Sequence, residues 1–261
     1  MRRGYLFWGS VLILLAALFL LKAVGFIDDV LGFFWPLALV LLGIWVIVGA
    51  YLPKGFDEGE AFNVEAQGAS QAVIKFSSGA GRVEISAGAE AGKIISGTKA
   101  AGMSIKQTLV GDKLEVKVES GPSVLPFIGP SSGIWKYYLA KDIPLSLELE
   151  AGASQVKMDL RELRVTYASV ETGASSVNLT LPENAGNTIM DIEAGAASVD
   201  ILVPDRVGAR IRVKEGVSAL NIDNARFPRL EGGYYQNADY DTAANKVDLT
   251  IESGVGTIKI R

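Results

Sequence analysis

Three aspartates, Asp159, Asp200 and Asp223, fall near matching places of a repeated pattern and have the strongest claim to chemistry in this chain. Carboxylates projecting from adjacent coils are the minimum apparatus for cleaving a glycosidic bond, one protonating the leaving oxygen while the other serves as nucleophile or base. Little else of the usual catalytic set is present. The 261 residues include no histidine, which removes the proton shuttle of neutral pH, every Ser-His pairing and the commonest transition-metal ligand. They include no cysteine, so disulfides, thiol nucleophiles and thiolate metal sites are excluded. A column of outward acids is more often a solvated face. The sequence therefore reads as non-catalytic, with no catalytic, cofactor or metal residue assigned. The charge, 25 Lys+Arg against 29 Asp+Glu, is spread without a basic cluster or aromatic-basic stripe, so nucleic-acid binding has no support.

The acids sit in a pattern that recurs six times, a corner of small residues followed by an alternating strand. Glu150-Ala-Gly-Ala-Ser-Gln-Val156-Lys-Met158 returns from Glu171 to Leu179, from Glu193 to Ile201 and, shortened, from Glu215 to Ile222. Gly79 to Ile85 and Glu252 to Ile260 are more distant copies. The corner glycines Gly152, Gly173, Gly195 and Gly216 follow one another at 21, 22 and 21 residues, with Gly254 at the corner of the last copy. A fixed period of this size signals stacked units, each burying its apolar face against its neighbours.

Between corners the apolar residues keep period two, as in Leu163-Arg-Val165-Thr-Tyr167 and Val247-Asp-Leu249-Thr-Ile251, which reads as half-buried strand. Two strands and two turns in about 21 residues suit one coil of a β-solenoid. The alternative is a stacked antiparallel sandwich or meander with a hairpin turn at each corner. The recurrence of the same residue types at the same phase favours the solenoid, whose corners would stack as columns of small residues. Glycine there would supply a positive φ. A leucine-rich repeat fails because its spacing occurs only around Leu160 to Val165.

Upstream the composition changes. Tyr5 to Leu21 is uncharged, and Val30 to Leu52 is an uncharged run of 23 residues, long enough to cross a bilayer's hydrocarbon core. Tyr5, Trp8, Phe33, Phe34, Trp35 and Tyr51 lie towards the run ends, where interfacial aromatics belong. The expected organisation is a two-helix transmembrane hairpin over 1–52, a linker over 53–61 and a β-repeat domain over 62–261. Arg2, Arg3 and Lys54 flank the outer ends of the hairpin, which places both termini, and the β domain, in the cytoplasm at the plasma (inner) membrane. A cleaved signal peptide is disfavoured by the length of the first run and the lack of a small-x-small site before Lys22.

Two segments break the repeat. Ser120 to Gly133 holds three prolines and an apolar tip of Val124, Leu125, Phe127 and Ile128, a candidate contact for a partner. Ala225 to Asn245 carries Phe227, Tyr234, Tyr235 and Tyr240. Each segment either caps a solenoid end or forms a contact surface.

The double-spanning N-terminus resembles the membrane region of the Lia-type envelope-stress proteins of bacteria. The runs Ile134-Trp-Lys-Tyr-Tyr-Leu139 and Ile143-Pro-Leu-Ser-Leu147-Glu-Leu149, Asp159-Leu160, Leu179-Thr-Leu-Pro182 and the closing Gly254-Val-Gly256-Thr-Ile258 resemble that family's toast-rack β-domain. The resemblance implies a non-catalytic membrane regulator that tunes a sensor kinase during cell-wall damage. Its implied partners are the lipid bilayer and a membrane sensor kinase or other membrane protein. Self-association through exposed strand edges is a further expectation.

Overall fold

The structure, a computed structural model, describes residues 2–26, 29–51, 60–99, 103–119 and 134–261. The chain divides into two units, Met1–Gly55 and Phe56–Arg261. In the first, α1 (Arg2–Ala23) and α2 (Val30–Tyr51) are each 22 residues long. Asp29 precedes α2 and its Oδ1 accepts the N–H of Gly32 at 3.0 Å, satisfying one donor that a helix start leaves open. Large apolar side chains stand exposed on both helices, among them Leu12, Ile13 and Phe19 on α1 and Leu31, Trp35 and Leu39 on α2. Among the described residues, no helix is long and apolar enough to cross a membrane.

The second unit is all β. Its short strands are β1 (Glu60–Glu65), β3 (Lys93–Lys99), β4 (Ser104–Val110), β5 (Lys113–Glu119), β6 (Ile134–Leu139) and β11 (Tyr235–Gln236). Its long ones are β2 (Gln71–Ala87), β7 (Pro144–Asp159), β8 (Arg164–Thr180), β9 (Asn187–Leu202), β10 (Val207–Ile222) and β12 (Asn245–Ile260). One sheet orders them β1-β3-β6-β2-β7-β8-β9-β12-β10-β11, with β5 also on β2 and β4 on β5.

Each long strand continues unbroken through its corner. In β7 the buried positions are Leu145, Leu147, Leu149 and Ala151; then Gly152 and Ala153 are both exposed, and burial resumes at Ser154, Val156 and Met158. That one-residue slip turns the strand, so the arms before and after the corner direct their apolar sides to the same core. A rung is therefore one bent strand with a first and a second arm.

The rungs from β2 through β7, β8, β9, β12 and β10 pair parallel, residue on residue. This decides for the solenoid over the antiparallel sandwich. Antiparallel pairing occurs at the two ends, β1 on β3, β3 on β6, β4 on β5 and β11 on β10. Along the first arms Ile74, Leu147, Ala168, Met190, Leu249 and Ile211 form one buried column. Val83, Val156, Val177, Val199 and Ile258 form another along the second arms. Like residues at like phase fill the core, at about 1.5–3 kcal/mol for each large side chain buried.

Sequence order fails at one place. β12 enters between β9 and β10, so β10 does not pair with the long strand that precedes it. The expected neighbours of Gly195, Gly173 and Gly216, are corrected to Gly173 and Gly254. The register also moves Glu215 off the position of Glu150, Glu171 and Glu193, and Lys214 stands there instead, opposite Glu252.

The reason for glycine at the corners is corrected too. None of Gly152, Gly173, Gly195, Gly216 and Gly254 has a positive φ. What each requires is close approach. A Cβ added to Gly152 would meet the Gly79 carbonyl oxygen at 2.7 Å, on Gly195 that of Gly173 at 3.0 Å, and on Gly254 that of Gly195 at 2.7 Å. Gly216 meets Gly254 in the same way, at 2.6 Å, while Gly173 is looser, 3.3 Å from Gly152. The column runs 79-152-173-195-254-216.

Of the two irregular segments, Ala225 to Asn245 folds as a cap. Phe227 is fully buried and Tyr240 is 6% exposed. Asn237 accepts the Ala209 N–H at 2.7 Å and donates to the Val207 carbonyl, occupying the outer side of β10. Arg226 donates to the carbonyls of Val203 and Pro204, both at 2.6 Å. Val124, Leu125, Phe127 and Ile128 lie outside the described residues. The chain leaves β5 at Glu119, opposite Ser77, and enters β6 at Ile134, opposite Arg82.

Candidate functional site

The repeat that bends each strand also builds a groove. Glu150, Glu171, Glu193 and Glu252 are successive partners across β7, β8, β9 and β12, Ser77 of β2 precedes them and Lys214 of β10 ends the row. Beside this row lies the glycine column, where the missing side chains leave backbone as a floor. Together they line an open channel of about 780 Å³. Thr172 and Ser253 in it are buried, and Thr172 Oγ1 accepts the hydroxyl of Ser175 at 2.7 Å.

Parallel strands lie about 4.8 Å apart, so the four carboxylates form a ladder of like charges one strand spacing apart. At about 4 Å in water-like surroundings two unit charges interact by about 1 kcal/mol, and like charges directly opposite destabilise a sheet. Lys214 relieves one end through its ion pair with Glu252. Glu171, with a glutamate on either side, has no such relief in the row. We expect Glu171→Gln to raise the stability of the β unit by roughly 0.2–1 kcal/mol, read as a higher urea midpoint. A lower midpoint would mean that the carboxylate makes a favourable contact that outweighs the ladder.

The acids singled out in the sequence are not part of this groove and do not converge. Asp159 is held by its near neighbour Arg161, with Nε at 2.9 Å, and this bond keeps its carboxyl below the usual carboxylate range. Asp200 accepts from Arg261 Nε at 3.2 Å. Asp223 accepts the N–H groups of Ala225 and Arg226 and holds the turn that starts the cap. Asp159 lies opposite Thr180 and Asp200 opposite Asn178, so they belong to different columns. Among the described residues no group of three or more carboxylates is placed to hold a metal ion.

The cap is a second polar cluster. Arg210 lies over the Tyr240 ring at 4.2 Å, and the Tyr240 hydroxyl donates to Asp248 Oδ1 at 2.8 Å. Burial, then the bond to Asp248, pushes the phenol up to about 12. These contacts tie the cap to the last rungs.

The four glutamates of the row are visible in the sequence as the first residues of their own copies, where they read as punctuation of the repeat. Its meaning depends on strand register, which the repeat does not state.

Against known proteins, residues 53–202 match the family model described as the N-terminal domain of toast_rack, DUF2154. Among solved structures the chain is similar to the crystal structure of a candidate cell adhesion protein from Clostridium sporogenes ATCC 15579. That likeness has a TM-score of 0.69 at 25% sequence identity, covering 77% of this chain and 97% of that one. No curated protein matches the chain.

Proposed function

The chain belongs to the toast-rack N-terminal domain family, and from that premise we propose that it is a membrane-anchored, non-catalytic regulator or scaffold. The observation that carries the reading is the apolar surface of the first unit. Leu12, Ile13, Phe19 and Leu20 on α1, and Leu31, Trp35, Leu39 and Val40 on α2, are all more than half exposed. So much apolar surface on two adjoining helices supports a non-aqueous environment for them. The sequence adds the length, an uncharged run of 23 residues from Val30 to Leu52 against the roughly 30 Å of a hydrocarbon core.

In this reading the two helices cross the plasma membrane and the β domain faces the cytoplasm, because Arg2, Arg3 and Lys54 flank the outer ends of the hairpin. The β domain then supplies contact surfaces for a membrane partner, such as a sensor kinase of the envelope-stress response. The apolar tip Val124, Leu125, Phe127 and Ile128 is our candidate for that contact. It breaks the repeat in the sequence and sets four large apolar residues among three prolines.

A second reading, a β domain displayed on the cell surface, is favoured by the adhesion description of the similar crystal structure. One experiment separates the two. The chain has no cysteine, so Asn178→Cys, at an exposed position of β8, adds a single reporter thiol. A membrane-impermeant maleimide is expected to label it only after the cells are opened. Labelling of intact cells would overturn the cytoplasmic placement. Release of the chain by alkaline carbonate would overturn the anchor.

A further inference from the structure

We propose that the second arm of β10, Val217–Ile222, pairs edge to edge with the same segment of a second copy of this chain. β10 is the outermost parallel rung, and its two arms are treated differently. The first arm is covered, with Arg210 and Ile211 paired to Gln236 and Tyr235 and the Asn237 side chain bonded to the backbone at Ala209 and Val207. The second arm pairs with β12 alone, from Val217 opposite Val255 to Ile222 opposite Ile260. Among the described residues nothing pairs with its outer side. At the other end of the stack both arms are covered, the first by β4 on β5 and the second by β3 on β6.

Charge follows the same division. The first arm carries Arg210, Arg212 and Lys214, the kind of residue that keeps an edge from pairing with other chains. Val217–Ile222 carries none. The corner beside it also changes. Its outer position holds Ala153, Ala174 and Ala196 in β7, β8 and β9, but Val255 in β12, where the side chain is 57% exposed. Val217 of β10 is in register with that valine. An apolar outer corner thus arises at the rung next to the uncovered edge.

A second copy fits this edge best. A strand edge is self-complementary about a two-fold axis, each donor meeting an acceptor. An uncharged segment sets no like charges against each other in any antiparallel register within it. A strongly basic or acidic partner would find no countercharge on Val217–Ile222.

The test uses the full chain in detergent, and its lack of cysteine makes any thiol cross-link intermolecular. Asn221→Cys and Asn178→Cys are exposed positions of one register column, running Asn178, Asp200, Lys259, Asn221. With a short bis-maleimide, Asn221→Cys is expected to give a cross-linked dimer and Asn178→Cys to stay monomeric. Adding Ala219→Lys to Asn221→Cys is expected to return the dimer to the control level without changing the circular dichroism. Equal cross-linking at both positions would assign association to the helices and overturn the proposal. So would absence of the dimer, indifference to Ala219→Lys, or adducts in native membranes formed only with a different protein. Because the control shares the helices, the outcome is independent of whether they cross a membrane.

Discussion

A chain cut after Ala244 is expected to yield no cooperatively folded β unit. The segment lost is β12, which lies between β9 and β10 and pairs with both along nearly its whole length. Its inward side chains Val247, Leu249, Ile251, Ile258 and Ile260 are each no more than 2% exposed. At about 1.5–3 kcal/mol for each, their burial contributes roughly 7–15 kcal/mol, as much as the roughly 5–15 kcal/mol that holds a whole domain folded. β10 would keep its cap but lose its only parallel partner. Far-UV circular dichroism and urea unfolding of the truncated chain would read the loss directly. A cooperative transition with the slope of the intact chain would show that β10 can dock on β9 and that the observed strand order is not essential.

The second large effect is expected at a single atom. Gly256 has φ +151°, and a Cβ there would lie 1.8 Å from the Ala197 carbonyl oxygen and 2.8 Å from its carbon. Backbone, not a flexible side chain, occupies the space, so relief requires separating β12 from β9. Gly256→Ala is expected to cost on the order of 3 kcal/mol or more, combining an unfavourable φ with a backbone overlap. Gly173→Ala is the comparison within the same stack. Its nearest atom is 3.3 Å away, its φ is not positive, and alanine lowers the entropy of the unfolded chain by about 0.4–1 kcal/mol. That variant is expected to stay within about 1 kcal/mol of the parent. Urea midpoints of the two proteins provide the check. Equal shifts would mean that the corners do not stack at these distances.

Much of the β unit is legible in the amino-acid sequence alone. Strand side chains alternate with period two, so Val156 and Met158, or Leu249 and Ile251, announce their inward face locally. The 21–22 residue spacing of Gly152, Gly173, Gly195 and Gly216 announces stacking, because equal units can share a core only by repeating the same phase. The absence of histidine and cysteine removes most catalysis at once. The reason for the corner glycines is not legible, since their φ values are ordinary and the constraint is a carbonyl of the next rung.

Partner choice is decided only by the tertiary structure. Each rung presents nearly the same columns, a branched aliphatic at the places of Val177, Val199 and Ile258 and a small residue at each corner, so any rung could pair with any other by local criteria. That near-equivalence is why the sequence order suggests Gly216 beside Gly195, whereas β12 places Gly254 there. The glutamate ladder follows from the same fact. Glu150, Glu171 and Glu193 can be aligned by eye, but whether the row continues through Glu215 or Glu252, and that Lys214 ends it, depends on a register one residue different from the apparent repeat. Alternation along a strand encodes which face is buried; the neighbour across which that face continues is set by non-local pairing, which no local pattern contains.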